Sequence, residues 1–315
     1  MPPPPSATSL ISPLAWAGSS AALPVAGSRP SWAAGGSEYD FAEPLARVAA
    51  EREFLRDVFG RVNLPVERYR HSVLARHLPA CLHLLGVSTL GRAGQKIAAR
   101  PALAWSLLDV LLPGGSRFCP EDHVLQQLAL RLLPPLPGRL RIWNVACGAG
   151  HELYTLAALL AEGDLLADAD LLERCELRGS DCRPEAIARA RGGEFPLEHV
   201  MQLDPAWRRA NFQLVGGVAR VHPRLRTAAS WHVSDVLAAP EAGPWHVILW
   251  RNLTTALEPA AVDGLWRQLT ASLAPGGYLA ANPAARPVDG LPLERIDAGL
   301  YRKTSPTGQP AGASR

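Results

Sequence analysis

The chain has 315 residues, 48% of them hydrophobic, enough to bury a core as one large domain or two smaller ones. A net charge of +3 is too mild to imply nucleic acid by itself, and no apolar stretch approaches the roughly 20 residues of a membrane span. Five cysteines without a C-x-x-C pair point to free thiols in a reducing, cytoplasmic setting and to no metal site.

The first 37 residues, opening on "MPPPPSATSLISPLAWAG", are rich in Pro, Ser and Gly. They lack the basic start and unbroken apolar run of a signal peptide. Such a composition does not offset ordering entropy with buried area, so residues 1–37 are expected to be a disordered leader, and 305–315 a disordered tail.

Residues 38–115 read as a small all-α domain. In "FAEPLARVAAEREFLRDVFGRV", Leu45, Val48, Leu55 and Val58 fall on one helical face. "PVERYRHSVLARHLPACLHLLG" follows, with Pro65 suited to a first turn and Gly86 to a C-terminal stop. "PALAWSLLDVLLPGG" is a further helix, and no period-2 run occurs. Between Arg61 and Arg100 stand Arg61, Arg68, Arg70, Arg76, Arg92, Lys96 and Arg100, against Glu67 alone. Arg68 and Arg76 are eight apart and would share one side of a helix. The surplus is either a solvated face or a dock for an acidic partner. Nucleic acid is disfavoured, because no aromatic residues interleave with the basic ones.

Over 116–304 the pattern changes to alternating strands and helices. "LRIWNVA", "CELRGSD", "ASWHVSDV", "WHVILWRN" and "YLAANP" read as strands, and "HELYTLAALLAEG", "RPEAIARARGG" and "PAAVDGLWRQLTASLAPGG" as helices. Such alternation implies an α/β, doubly wound, Rossmann-like sheet that binds its ligand at the carboxyl ends of the strands.

In "NVACGAGHELYTLA", Gly148 and Gly150 sit where the first strand hands over to its helix. Glycine there permits positive φ and lets a ligand come close, or serves only a tight turn. G-x-G without a third glycine is weak evidence for a dinucleotide, and Glu152 at the helix start disfavours a phosphate. A cationic, phosphate-free nucleoside such as S-adenosyl-L-methionine (SAM) suits the loop better. Asp181, at the end of the second strand, can accept from both ribose hydroxyls or serve as a helix N-cap. Asp235, closing "SWHVSD", can accept from an adenine amino group or be a turn residue. His151 either contacts the cofactor or lies idle in solvent. Trp143, Trp245 and Trp250 read as core, and Cys147 as a small residue beneath the loop.

From Phe54 to Lys303 the chain resembles the CheR-type chemotaxis receptor methyltransferases, SAM-dependent enzymes that esterify receptor glutamates. "VFGRVNLPVERYRHSVLARHL", "RIWNVACGAGHELYTLA", "GSDCRPEAIARARGGEF", "GPWHVILWRNL", "LAPGGYLAANP" and "GLYRK" carry the resemblance in the family's order. It implies a SAM-dependent methyltransferase domain with a small all-α N-terminal domain and a short β insertion, here near 211–228. The expected SAM contacts are Ala146, Gly148, Gly150, His151, Glu152, Asp181, Asp235 and Asn252, His151 as a stand-in for the family's acid, and the resemblance further implies that Arg251 and Asn252 line the catalytic site. Arg68 and Arg76 would dock the acidic methylation helix of a chemoreceptor-like signalling protein. No metal and no membrane insertion are implied.

The reacting end departs from the family. Where the family carries T-x-F-F-R, this chain has Ser116, Phe118, Cys119 and Pro120 at the Thr, Phe, Phe and Arg positions. In the family's G-E-E-P-Y the first acid is His151, and in R-N-x-x-x-Y the tyrosine is Ala256. The alternatives are therefore a homologue that binds SAM or a receptor without transferring a methyl, and a methyltransferase for a small molecule.

Overall fold

The structure, a computed structural model, describes residues 44–112, 117–132, 138–167 and 171–304, leaving aside the side chains of 44 and 164–167. The leader 1–37, the tail 305–315 and Ser116 lie outside the described residues.

Five helices open the described chain: α1 (Pro44–Gly60), α2 (His71–Ala75), α3 (Leu78–Leu85), α4 (Leu90–Ala99) and α5 (Leu103–Leu111). The buried face of α1 runs through Phe54, Leu55, Val58 and Phe59, whereas Leu45 and Val48 are exposed. Only the C-terminal half of α1 carries the apolar density that its neighbours α4 and α5 cover. The segment expected as one helix after Pro65 is broken. A 3-10 turn over Val66–Arg68 is followed by extended Tyr69 and Arg70, then α2, then α3, which stops at Gly86 with φ +61°. Arg68 and Arg76 consequently share no helix face, because the chain straightens between them to pair with a distant loop.

The rest comprises α6 (His123–Leu132), β1 (Leu140–Val145), α7 (His151–Ala167), α8 (Leu171–Arg174), β2 (Cys175–Asp181), α9 (Pro184–Gly192), β3 (Glu194–Pro196), α10 (Pro205–Asn211), β4 (Phe212–Val215), β5 (Val218–Val221), α11 (Pro223–Ala228), β6 (Ala229–Val233), β7 (Trp245–Trp250), α12 (Pro259–Ser272), β8 (Leu273–Ala281), β9 (Leu293–Asp297) and β10 (Leu300–Lys303). Seven strands form one sheet in the order β6-β2-β1-β7-β8-β10-β9. The first five run parallel, and β10 and β9 close the edge antiparallel. This is the doubly wound order with its reversal between β1 and β7, the place where such sheets open a ligand crevice. A separate three-stranded sheet, β3-β5-β4, contains a hairpin that turns at Gly216-Gly217.

Side chains alternate across the strands and load both faces. Ile142, Val247 and Leu249 pack with α6 and α7 on one side. Trp143, Trp245, Ile248 and Trp250 pack on the other with α12 and the helices α1 to α5. The three tryptophans are fully buried, and Trp143 Nε1 donates to Ser180 Oγ at 2.8 Å. The N-terminal helices thus share one core with the sheet.

Candidate functional site

A cleft opens at the carboxyl ends of β1, β2, β6 and β7, with about 850 Å³ between its walls counting the open mouth. Its polar lining includes Asp181, Arg183, Ser234, Asp235 and Asn252, and Leu111, Leu112, Val73, Val236 and Leu253 form apolar walls. The mixture of apolar walls with a few directed polar groups suits a small organic ligand. Ala146 lines it too, held at φ +50° where β1 ends, a conformation that L-residues seldom adopt.

Asp181 ends β2 and is buried. Its Oδ2 accepts from Gly148 N–H at 2.9 Å and Arg183 Nη2 at 3.1 Å, and its Oδ1 from the N–H and Nε of Arg183 at 3.0 and 2.9 Å. Burial opposes the charge of Arg183, but Asp181 outweighs it and holds the guanidinium pKa above its ordinary value. Asp235 uses one oxygen, accepting from Leu237 N–H at 2.9 Å. Its other oxygen accepts no hydrogen bond among the described residues. Burial raises the Asp235 pKa, while the Leu237 N–H and nearby Arg68 pull it down. Tyr69 reaches in from the N-terminal side, and burial, with Cys182, Asp235 and Asp181 close by, keeps its phenol protonated.

A second cleft adjoins it. Arg117, Cys119, Asp122, Glu152, Arg251 and Asn252 line this space of about 580 Å³, and Asn252 belongs to both. Arg251 is the hub, its guanidinium 2.6 Å from Asp122 Oδ2 and 3.3 Å from Glu152 Oε1. Glu152 also accepts from Asn144 Nδ2 at 2.7 Å. Burial raises the Glu152 pKa despite those two partners. Burial also raises that of Asp122, but the Arg251 hydrogen bond and charge overcome it and leave it low.

Both glycines of the loop take the positive φ that their turn was expected to need, Gly148 at +56° and Gly150 at +88°. A Cβ at Gly150 would stand 2.4 Å from Trp231 Cη2. The space its missing side chain leaves is filled by an indole, and neither Gly148 nor Gly150 lines either cleft. Gly148 acts through its N–H, which is spent on Asp181.

His151 is corrected as a cofactor contact. It is 2% exposed, its Nε2 lies 3.0 Å from His199 Nδ1, and its ring packs on Phe118 and Phe195 at 4.7 and 4.5 Å between centroids. The first turn of α7 points that side chain into the core among Phe118, Phe195 and His199, and it lines neither cleft. Burial, then His199 and Arg189, depress its pKa to about 3. Cys147 is buried, and burial keeps its thiol protonated.

The basic segment is carried to the mouth of the main cleft. Tyr69 pairs with Leu257 in an antiparallel bridge, Arg70 N–H donates to Ala256 O at 2.8 Å, and Glu258 N–H donates to Arg68 O at 2.8 Å. Arg68 and Arg76 are exposed. Arg76 Nε donates to Ser72 O at 3.0 Å, Arg61 pairs with Asp57 and Lys96 donates to Leu85 O, so each of these has one partner within the helices.

Arg183, Tyr69 and Asp122 were missed in the sequence. Asp122 carried a signal: its Oδ1 accepts from Val124 and Leu125 N–H, the N-cap of α6. Arg183 stood two residues from Asp181 without a pattern that marks it. Nothing in the sequence ties Tyr69 to Asp235. Among the described residues, no group of three or more His, Cys, Asp and Glu side chains gathers as metal ligands, and no helix is long and apolar enough to cross a membrane.

Residues 116–282 match the family described as "CheR methyltransferase, SAM binding domain". The chain is 28% identical over 132 residues to a chemotaxis protein methyltransferase of Listeria innocua, spanning 42% of this chain and 48% of the relative. It is 24% identical over 237 residues to chemotaxis protein methyltransferase 1 of Pseudomonas aeruginosa, spanning 72% of this chain and 85% of the relative. Among solved structures, the N-methyltransferase NodS from Bradyrhizobium japonicum aligns with 59% of this chain and 99% of its own, at 16% identity and a TM-score of 0.33.

Proposed function

The chain belongs to the CheR methyltransferase family and has SAM as its cofactor, and from that premise we propose that it methylates glutamate carboxylates of an acidic, chemoreceptor-like signalling protein. The residues of the main cleft fit SAM. Asp235 has an oxygen to spare for an amino group, Tyr69 offers a protonated hydroxyl, and Cys182 and Val236 give apolar contact for a base. Asp181 would take the ribose and Asn252 would stand between the two clefts.

When bound, SAM supplies a methyl group on a sulfonium for in-line displacement. A glutamate is ionised at neutral pH, with a free pKa of about 4.3, so the chain needs no general base. Its residues have to orient and to exclude water, and orientation supplies up to roughly 7–11 kcal/mol. Arg251, fixed by Asp122 and Glu152, presents a charged group beside Asn252 without freedom to wander.

The observation that carries the substrate reading is the Tyr69–Leu257 bridge, which sets the basic segment beside the cleft mouth. A negatively charged helix arriving there would be steered by Arg68 and Arg76, and complementarity of this kind acts mainly on encounter and register. The test is calorimetric titration with SAM and S-adenosylhomocysteine, followed by tritiated SAM offered with a receptor cytoplasmic fragment. A base-labile methyl ester on the fragment is expected. Label only on a small acceptor would refute it.

A second reading, binding without transfer, is favoured by Pro120 and Ala256 at the positions of the family's Arg and Tyr. Micromolar cofactor binding with no label on any acceptor would decide for it.

A further inference from the structure

Arg183 joins two parts of the molecule. Its side chain is 7% exposed and that of Asp181 3%. Each oxygen of Asp181 already receives two donors, so the roughly four acceptor sites of the carboxylate are filled, three of them by Arg183. The far side of the guanidinium is anchored as well. Nη1 donates to Leu112 O at 2.6 Å and lies 3.4 Å from Asp109 Oδ1. Asp109 belongs to α5, and Leu112 follows its last turn.

Ribose hydroxyls that donate to Asp181 need acceptor sites that Arg183 holds. We infer that Arg183 is an internal competitor for the ribose: a nucleoside engages Asp181 by displacing the guanidinium, and the same displacement releases the C-terminal end of α5. This rests on the reading of the main cleft as the SAM site. The bidentate, charge-assisted pair is strong, so the competition lowers the net gain from the ribose hydroxyls. Because Arg183 bridges Asp181 and α5, cofactor binding and the seating of α5 are linked, and the linkage is reciprocal. Arg183 thereby sets cofactor affinity without itself contacting the reacting atoms.

The test uses the full chain, S-adenosylhomocysteine, and its 2′,3′-dideoxy analogue, both titrated by calorimetry. Arg183→Met is expected to bind S-adenosylhomocysteine about ten- to a hundredfold more tightly than the unsubstituted chain, the range of one hydrogen bond to a charged group. The dideoxy analogue should lose more affinity against that variant than against the unsubstituted chain. Removing the partner of a buried carboxylate endangers folding, so two further measurements stand beside it. Asp109→Asn weakens the far anchor, and with it the exposed pair of Asp109 with Arg189 at 2.9 Å, and should tighten binding severalfold; Arg189→Gln, which loses only that second pair, should leave the affinity unchanged. In the unsubstituted chain, S-adenosylhomocysteine should speed hydrogen exchange at the amides of Leu108 to Leu112. Equal affinities in all proteins with unchanged exchange would overturn the role of Arg183 while leaving the cofactor site standing. Absence of binding in every protein would sink the site and the inference together.

Discussion

Gly150→Ala puts a methyl group where the indole of Trp231 already stands. The added Cβ would lie 2.4 Å from Cη2 and 2.8 Å from Cζ3, far inside contact distance, on a ring held by Tyr154. Trp231 is 6% exposed and has little room to retreat. Two costs add. Left-handed backbone in a residue with a Cβ costs about 1–2 kcal/mol, and overpacking a filled core costs about 1–3 kcal/mol. The expected loss is therefore about 2–5 kcal/mol. Urea unfolding followed by far-ultraviolet circular dichroism reads it without depending on indole fluorescence. The diagnostic is the double substitution. Trp231→Ala alone should cost about 3–5 kcal/mol through the cavity it leaves. In that background Gly150→Ala should retain only its backbone cost, giving a coupling of about 1–3 kcal/mol. Simple addition of the two losses, or a loss below about 0.5 kcal/mol for Gly150→Ala alone, would refute the claim that Trp231 is what demands the glycine.

Three other outcomes are expected. His151 is held neutral with a pKa of about 3, so the folded chain refuses a proton that the unfolded chain takes below its ordinary 6.5. Its contribution to stability is whole above pH 6.5 and falls by about 1.4 kcal/mol per unit as the pH drops toward the folded value; a His151→Asn variant with the same urea-midpoint slope between pH 6.5 and 4.5 would contradict this. Arg251→Ala leaves Asp122 and Glu152 facing each other without a cation and should cost about 2–3 kcal/mol, below the range for fully buried pairs because both partners of the Asp122 contact keep some exposure. Urea unfolding of this variant, with Arg251→Lys as the charge-preserving control, checks it. Arg76→Glu should slow association with an acidic receptor fragment about tenfold at low salt, with the difference fading at high salt and S-adenosylhomocysteine affinity unchanged; stopped-flow rates that match the unsubstituted chain would remove Arg76 from the docking face.

The alternation of strands and helices, the turn at Gly148-Ala149-Gly150, and the acids that close β2 and β6 were all legible, because each is written in neighbouring residues. Periodicity of two and of 3.6, and the chemistry of turns, are short-range signals. They delivered the α/β architecture and the location of Asp181, Asp235 and Asn252 at one end of the sheet. They misjudged α1, whose periodic stripe continues past the stretch that its neighbours cover, leaving Leu45 exposed. They also ran a helix through Tyr69, where pairing with Leu257 wins over local propensity.

What a side chain does once it is placed depended on partners far along the chain. Helix periodicity does not say that His151 meets His199, 48 residues away, or that Arg251 meets Asp122 across 129 residues. The same holds for the glycine: its left-handed φ was readable from the turn, but Trp231 as the occupant of the vacated space was not. The sequence by itself determined the order of strands and helices in the α/β part and the glycine turn after β1, since those follow from local sterics and hydrophobic pattern, but not the break at Tyr69, which pairing with distant Leu257 imposes. Only the tertiary structure decided which acids remain open to a ligand and which are already taken, since that depends on donors folded in from elsewhere.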